Sequence, residues 1–368
     1  MFNSSELFDI ARNIFSRVNR NKKTHLTPLR FFLELTHRCN LNCPYCYLGK
    51  NKVKEEMSTD EWLEVIKQLP WYSFATLVGG EPLIREDFRE IFRACSKKTN
   101  HKVQLVTNGI LLDDRIISVL VKYKLLLLSL SLDGWQEHHD IERGIKDSSK
   151  SAFKRILNNL DNLSLQCKTS HTNIMVDIKT IILKDNLEDI LKLYEFATNR
   201  GIEFFSLSFL RNNNLKQNPC LFDTFNKEFY AQNYPIDLYF DMEQFEKIYW
   251  EIQKIKKFSK TKIRFAPKFD DNNPKKELDK IKKFFLEGNN KSINELYEPC
   301  LYPWANTIIN PVGDIYPCLS YKMGNIKEQN IKNIINSKKY LLFKENLRQS
   351  QQFSACQMCC ELKVKETK

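Results

Sequence analysis

At 368 residues the chain is long enough for two compact units, or for one large unit with an appendage. Its 42% hydrophobic and 28% charged residues support a sizeable core, and with 10 Gly and 12 Pro it is neither disordered, collagen-like nor Pro-rich low-complexity. The net charge of +12 is concentrated: residues 247–291 hold 14 Lys or Arg against 6 Asp or Glu, and residues 11–33 hold 6 basic residues and no acid.

Residues 1–10 hold two acids and no basic residue, which is not the pattern of a secretory signal. Residues 5–18 place Leu7, Ile10, Ala11, Ile14, Phe15 and Val18 on one helical face, so an amphipathic helix is expected, to lie on a membrane surface or, the commoner outcome, to dock on the body of the protein. Strand-like runs follow at 31–36, 74–78, 103–107, 126–132, 174–183 and 204–209. Helix-period segments lie between them at 59–69, 85–97, 113–121, 152–163 and 187–199. Ser58 with Glu61 and Asp185 with Glu188 supply capping residues, and Gly201 follows the fifth of these helices as a C-terminal cap. The longest apolar run, 125–132, is broken by Ser129 and Ser131 and falls well short of the roughly 20 residues a membrane span needs, so a cytoplasmic protein is expected.

Alternating strands and helices with continuous apolar strands predict an α/β fold whose parallel sheet is buried on both faces. Six repeats suit a partial (β/α)6 TIM-like barrel, whose active site would lie at the C-terminal ends of the strands. Beyond residue 211 the pattern loosens: loops at 212–214 and 270–274, helices at 241–257 and 275–286, then a small cysteine-containing unit over 297–362. The expected organisation is a lead-in over 1–29, a core over 30–211, a basic helical connector over 212–296 and a cysteine-rich extension over 297–368.

The eleven cysteines fall into groups. Cys39, Cys43 and Cys46 form one; Cys300, Cys318, Cys356, Cys359 and Cys360 form another; Cys95, Cys167 and Cys220 stand alone and read as small buried hydrophobes. In a reducing compartment such groups hold a metal or do redox chemistry rather than form disulfides.

The first group is spaced C-x3-C-x2-C, with Tyr45 just before the last cysteine. Three thiolates on one tight loop can hold three irons of a [4Fe–4S] cluster and leave the fourth open to a small molecule. A zinc site would want a fourth ligand, for which His37 is the only near candidate and lies before the run. This loop resembles the signature of the radical S-adenosylmethionine (SAM) superfamily. The resemblance implies that the open iron chelates the amino and carboxylate groups of SAM. One electron from the reduced cluster then cleaves the sulfonium bond, and the 5′-deoxyadenosyl radical takes a hydrogen atom from the substrate.

The other strand ends extend the resemblance over 30–210. Gly79-Gly80-Glu81-Pro82 follows the second strand; its glycines remove bulk where a ligand must approach, and the family motif meets the SAM amino group through backbone and the glutamate. Thr107-Asn108-Gly109 follows the third, a family turn near the cofactor. On the fourth, Ser131 matches a serine that reaches the SAM ribose, while Asp133 either assists or shapes the Asp133–Gly134 turn. Arg143 lies in a segment resembling one whose arginine pairs with the SAM carboxylate, a task suited to the guanidinium fork.

In the second group, Cys300, Gly313 and Cys318 are spaced C-x12-G-x4-C around a hairpin at 308–316, and Cys356 and Cys359 form a C-x2-C pair. Spacing alone allows zinc or an iron–sulfur cluster. The pattern resembles the SPASM and twitch extensions of radical SAM enzymes. A full SPASM domain carries further cysteines after that pair, whereas eight residues without one follow Cys360. The resemblance therefore implies one auxiliary [4Fe–4S] cluster on Cys300, Cys318, Cys356 and Cys359, with Cys360 able to replace Cys359.

Enzymes so extended mostly oxidise, crosslink or epimerise peptides and proteins, and a few oxidise sugars or cyclitols. The implied partners are a peptide or small-molecule substrate and a flavodoxin- or ferredoxin-type electron donor. About 30 residues precede the first strand, too few for a winged-helix peptide-recognition domain, which leaves room for a separate recognition protein. Two readings of other classes are a zinc-stabilised nucleic-acid binder and an iron–sulfur electron carrier. Neither accounts for Gly79-Gly80-Glu81-Pro82, and no nucleic-acid motif accompanies the basic stretches. No residue presents itself as the catalytic acid or base.

Overall fold

The computed structural model describes residues 4–21, 26–46, 48, 55–145, 151–209, 241–269, 273–287, 293–318, 321–353, 356, 359 and 361–365. The loop expected at 212–214, Cys220 and Cys360 lie outside them.

Helix α1 (Ser4–Arg20) leads into β1 (Arg30–Glu34), α2 (Thr59–Lys67), β2 (Phe74–Val78), α3 (Phe88–Lys98), β3 (Val103–Thr107) and α4 (Asp114–Lys122). Then come β4 (Leu127–Ser131), α5 (Glu137–Glu142), α6 (Ala152–Thr169), β5 (Met175–Ile182), α7 (Leu187–Asn199) and β6 (Phe204–Phe209). Next are α8 (Met242–Lys256), β7 (Lys262–Ala266), α9 (Pro274–Glu287) and α10 (Ile293–Leu296). The chain ends in β8 (Asn306–Ile309), β9 (Asp314–Tyr316), β10 (Gly324–Asn325), α11 (Ile331–Ile335) and α12 (Lys338–Ser350).

The ten strands among the described residues form one sheet in the order β10-β9-β8-β1-β2-β3-β4-β5-β6-β7. Strands β1 to β7 run parallel to their neighbours, with helices in the crossovers. This is the expected partial TIM-like barrel, and among the described residues it stays open, because β7 and β8 are not paired.

Three features of the barrel and its extension depart from the sequence reading. Strand β7 was not foreseen: its apolar Ile263 and Phe265 alternate with Lys262 and Arg264 inside a lysine-rich stretch, which masks the period of two. The C-terminal hairpin formed by β8 and β9 is present, but β8 also pairs in parallel with β1, so the cysteine-rich extension continues the barrel sheet. Helix α3 starts at Phe88 rather than 85, because a 3-10 turn over Pro82–Ile84 precedes it and Arg85 is extended.

Alternate strand residues face the helices. Phe31, Leu33, Ala75, Leu77, Val103, Leu105, Leu128, Leu130, Ile178 and Phe205 are fully buried there. The opposite face carries a continuous polar ladder across the barrel floor. Arg30 Nε donates to Thr76 Oγ1 (3.0 Å) and its guanidinium also meets Gln104; Gln104 Nε2 donates to Ser129 Oγ (2.7 Å). Ser129 and Ser206 both donate to Asp177 (3.3 and 2.7 Å), and Arg264 pairs with Asp177 at 3.2 Å. Each of seven strands contributes one residue, so the ladder links β1 through β7, although Arg264 keeps Nε and one terminal nitrogen buried without a hydrogen-bond partner beside its ion pair.

Local signals set the helix ends. Ser58 and Glu61 form the expected reciprocal capping box on α2, and Asp113 and Asp241 cap α4 and α8. Helix α1 docks on the body, but through its polar face rather than the apolar one the sequence suggests: buried Asn19 donates to the Trp304 carbonyl at 2.7 Å and the Arg20 guanidinium lies 5.5 Å from the Trp304 ring centre, while Ile14 and Val18 are exposed. Among the described residues no helix is long and apolar enough to cross a membrane.

Candidate cofactor site

The three-cysteine loop leaves the end of β1 and is braced before its first thiol. Glu56 accepts from Thr36 Oγ1 (2.6 Å) and the His37 amide (2.8 Å). Arg85, 8% exposed, spends its guanidinium on both oxygens of Asp87 and on the carbonyls of Leu35 and Met57 (each 3.1 Å). Glu56 and Arg85 escaped the sequence reading. The only signal was that charged residues sit beside two motifs, which does not distinguish a brace from a surface charge.

Gly79 and Gly80 lie against the same loop. The Gly80 amide donates to the Thr36 carbonyl (2.7 Å) and the Glu81 amide to the Arg38 carbonyl (2.9 Å). A Cβ on Gly79 would lie 2.3 Å from the Thr36 oxygen, and one on Gly80 2.2 Å from the Arg38 oxygen. The glycines therefore let the β2 end press against the cysteine loop.

Glu81 is fully buried. It accepts from the Leu83 amide (3.1 Å), Thr107 Oγ1 (2.8 Å) and the Asn108 amide (2.8 Å), which ties β2 to β3. Burial pushes its carboxyl above the usual range against those three donors. Asn108 in turn donates from Nδ2 to Asn40 Oδ1 at 2.8 Å, reaching into the loop between Cys39 and Cys43.

The thiols of Cys39, Cys43 and Cys46 are half-buried and free of disulfides. Burial raises Cys39 and Cys43; the Leu41 amide opposes this at Cys39, and Arg143 opposes it at Cys43. The Cys46 thiol is near enough to both to raise them further, so the three lie in one neighbourhood. The Cys46 amide closes the turn on the Cys43 carbonyl at 3.1 Å.

Beside the thiols lies a buried ion pair. Asp133 is fully buried, takes Arg143 at 2.5 Å and the Tyr45 hydroxyl at 2.5 Å, and accepts from the Ile181 amide at 2.7 Å. Arg143 also approaches Cys43 Sγ at 3.9 Å. Its Nε is buried without a hydrogen-bond partner. Asn186 supports the pair by donating to the Asp133 carbonyl (2.6 Å), a contact with no signal in sequence. Cys43, Tyr45, Asp133 and Arg143 thus form one cluster. Ser131 stands apart from it: it lies half-buried on the lumen side of β4, directly opposite Lys179 in the β4–β5 register.

In the C-terminal extension, Cys300 has Cys318, Cys356 and Cys359 within electrostatic reach. Burial drives the Cys300 thiol well up, and the nearby Cys356, Cys359 and Cys318 add to it. Cys356 is pushed up to about 12, by burial and then by Cys318. The Cys359 amide donates to the Cys356 carbonyl at 3.0 Å, which makes the C-x2-C segment a tight turn. Of the cysteines that stand alone in sequence, Cys95 is buried as expected and Cys167 is half-buried. Among the described residues no three His, Cys, Asp or Glu side chains are grouped around a single ion position. An iron–sulfur cluster differs in giving each thiolate its own iron.

Two family models match this chain: the radical SAM superfamily over residues 33–204, and the SPASM iron–sulfur cluster-binding domain over residues 300–360. The chain is a radical SAM protein with a SPASM domain. Its cofactors are accordingly a [4Fe–4S] cluster with SAM, together with auxiliary iron–sulfur chemistry in the extension. Among curated proteins it is 29% identical over 181 residues to the sporulation killing factor maturation protein SkfB of Bacillus subtilis, covering 48% of this chain and 42% of SkfB. It is 34% identical over 182 residues to the AdoMet-dependent heme synthase of Methanosarcina barkeri, covering 48% of this chain and 49% of that one. The chain spans about half the length of the curated relatives it matches. The fold is similar to that of SuiB from Streptococcus suis bound to SAM, with a TM-score of 0.60 at 15% identity over 94% of this chain and 74% of SuiB. SuiB has also been solved with its precursor peptide SuiA.

Proposed function

We propose that this radical SAM protein modifies a peptide, with Cys39, Cys43 and Cys46 holding the SAM-binding cluster. The observation that carries the reading is the nearness of these three thiols to Gly79-Gly80-Glu81 and to the Tyr45–Asp133–Arg143 cluster at the C-terminal ends of consecutive strands. The residues fit the group. Three half-buried thiols share one loop, the glycines leave no side chain against it, and Arg143 keeps an unspent N–H beside Cys43. When bound, the cluster and SAM supply one-electron cleavage of the sulfonium bond and a radical that takes a hydrogen atom from the substrate.

The chain's own residues position and shield that chemistry. Glu81 uses three of its four lone-pair sites on β2 and β3, which leaves one on Oε2 for the SAM amino group. Arg143 is the carboxylate partner, held in place by Asp133. Asn108 fixes the loop through Asn40, and Ser131 faces the lumen where a ribose would lie. Cys300, Cys318, Cys356 and Cys359 hold the auxiliary cluster. A flavodoxin- or ferredoxin-type protein supplies the electron. A peptide substrate is supported by SkfB, which matures a killing factor, and by the SuiB fold, which accepts a precursor peptide.

The test is cofactor turnover. Protein reconstituted without oxygen and given SAM and dithionite should release 5′-deoxyadenosine slowly without any substrate. Iron-loaded protein that releases no more than a control without protein overturns the reading.

A further inference from the structure

The open seam between β7 and β8 contains a cleft of about 260 Å³ that the chemistry above does not use. Lys268, just beyond β7, and Asn306, the first residue of β8, stand on its walls, and α1 supplies a third wall with Arg12 and Arg17. The seam is not empty of chain. The Lys268 amide donates to the Leu362 carbonyl (3.0 Å), the Val364 amide to the Lys268 carbonyl (2.8 Å) and the Glu298 amide to the Lys363 carbonyl (2.9 Å). The cleft is the space these straps leave. Cys300 borders it but Cys318, Cys356 and Cys359 do not, so it is not the seat of the auxiliary cluster.

Its charge is one-sided. Arg12, Arg17, Lys268 and Lys363 face two acids, Glu298 and Glu361, and Lys363 is already paired with Glu298 at 2.9 Å. The side chains of Arg17 and Lys268 make no ion pair among the described residues. The wall at Asn306 carries a second, independent mark. Asn306 is 1% exposed, and its Nδ2 donates to the Tyr302 carbonyl at 2.9 Å. A carbonyl only accepts, so this bond fixes the amide and leaves Oδ1 as the other atom. That Oδ1 is buried with no donor. Buried acceptors are rarely left so, and an N–H from a ligand would complete this one.

The cleft also shares a wall with the barrel interior. Tyr302 lines it, and the Tyr302 ring lies 6.2 Å from that of Phe32, which shares the inner face of β1 with Arg30 of the polar floor.

We infer that the seam cleft binds an extended acidic peptide segment, with a backbone N–H on Asn306 Oδ1 and carboxylates on Arg17 and Lys268. It rests on the peptide reading above, and it would seat a part of the substrate remote from the reacting residue. Such remote contacts raise affinity and help place the reacting group.

Binding is measured on the full iron-loaded chain by fluorescence anisotropy of a short fluorescein-labelled peptide of alternating Glu and Ala. Wild type should bind it, and Arg17→Glu with Lys268→Glu should weaken binding about tenfold. Arg93→Glu with Lys97→Glu, on the exposed face of α3, makes the same change in net charge and should stay within about twofold. Asn306→Ala should weaken the peptide as well; if that variant does not fold, the charge-reversal pair still decides. No binding by wild type, equal loss in both charge-reversal pairs, full displacement by equimolar inorganic phosphate, or tighter binding of labelled single-stranded oligo-dT would each overturn the inference. Iron content and 5′-deoxyadenosine release are scored separately on the wild type, so a failure of the proposed function is visible there and a failure of the cleft only in the anisotropy.

Discussion

The hydroxyl of Tyr45 and the carboxylate of Asp133 meet at 2.5 Å, across 88 positions of sequence. The same Asp133 oxygen takes Arg143 at 2.5 Å, so one carboxylate joins the cysteine loop to the end of β4 and to the turn after α5. The aromatic ahead of the last cysteine therefore works through its hydroxyl as well as its ring. Burial and the adjacent Asp133 hold that hydroxyl protonated far above the usual range, so it serves as a donor at any accessible pH.

Asp133→Ala should cost far more than Tyr45→Phe. Removing the carboxylate strands a largely buried guanidinium without its counter-charge, which typically costs about 3–5 kcal/mol. Removing the hydroxyl deletes one donor from a carboxylate that keeps Arg143 and the Ile181 amide, at about 1–3 kcal/mol. Urea denaturation of the three proteins measures both. Equal losses would show that the ion pair does not dominate the cluster.

Gly80→Ala should empty the barrel cluster while leaving the fold intact. The new Cβ would sit 2.2 Å from the Arg38 carbonyl oxygen, one residue before Cys39, and neither backbone can yield cheaply. The loop must move and the three thiols lose their arrangement. Iron per chain should fall by about half relative to wild type with the circular dichroism spectrum preserved. Full iron loading in Gly80→Ala would show that the contact relaxes without cost.

The six strands and five helices of the barrel were legible because each carries a clear period, and the cofactor loop was legible because its residue types sit at fixed spacing after strands. The braces were not. Glu56, Arg85 and Asn186 act on backbone groups brought close only by folding, so no local pattern marks them. Strand β7 was hidden because its lumen-facing positions are Lys262 and Arg264. The pairing of β8 with β1 joins residues more than 270 positions apart, and nothing in either segment names its neighbour.

Stability should rise from about pH 7 towards 10.5 through Lys344. This side chain is 1% exposed, its Nζ has no hydrogen-bond partner, and burial lowers its pKa from 10.5 to about 7. In that window the unfolded chain holds a proton that the folded protein has released, so raising pH favours the folded state. Below about pH 7 both states are charged and the full cost of the buried ammonium is present. Lys344→Met should therefore be more stable than wild type at neutral pH, by about 1–4 kcal/mol, and the gap should close as pH rises. Thermal unfolding of both proteins across pH 6 to 10 reads this directly. A gap that does not change with pH would mean Lys344 stays charged in the folded protein.

Metal analysis tests both cysteine groups together. With one cluster in the barrel and one in the extension, anaerobically reconstituted wild type should hold about eight irons per chain. Replacing Cys39, Cys43 and Cys46 with Ala should leave about four and abolish SAM cleavage. Cys300→Ala with Cys318→Ala should also leave about four, because it removes two of the four neighbouring thiols, but 5′-deoxyadenosine release should persist since the barrel site is untouched. A structural zinc in the extension predicts a different set: about four irons and one zinc in wild type, and no change of iron in the Cys300/Cys318 variant. About twelve irons in wild type would place a second cluster in the extension, and Cys360, beside the C-x2-C pair, would be the first residue to test as its ligand.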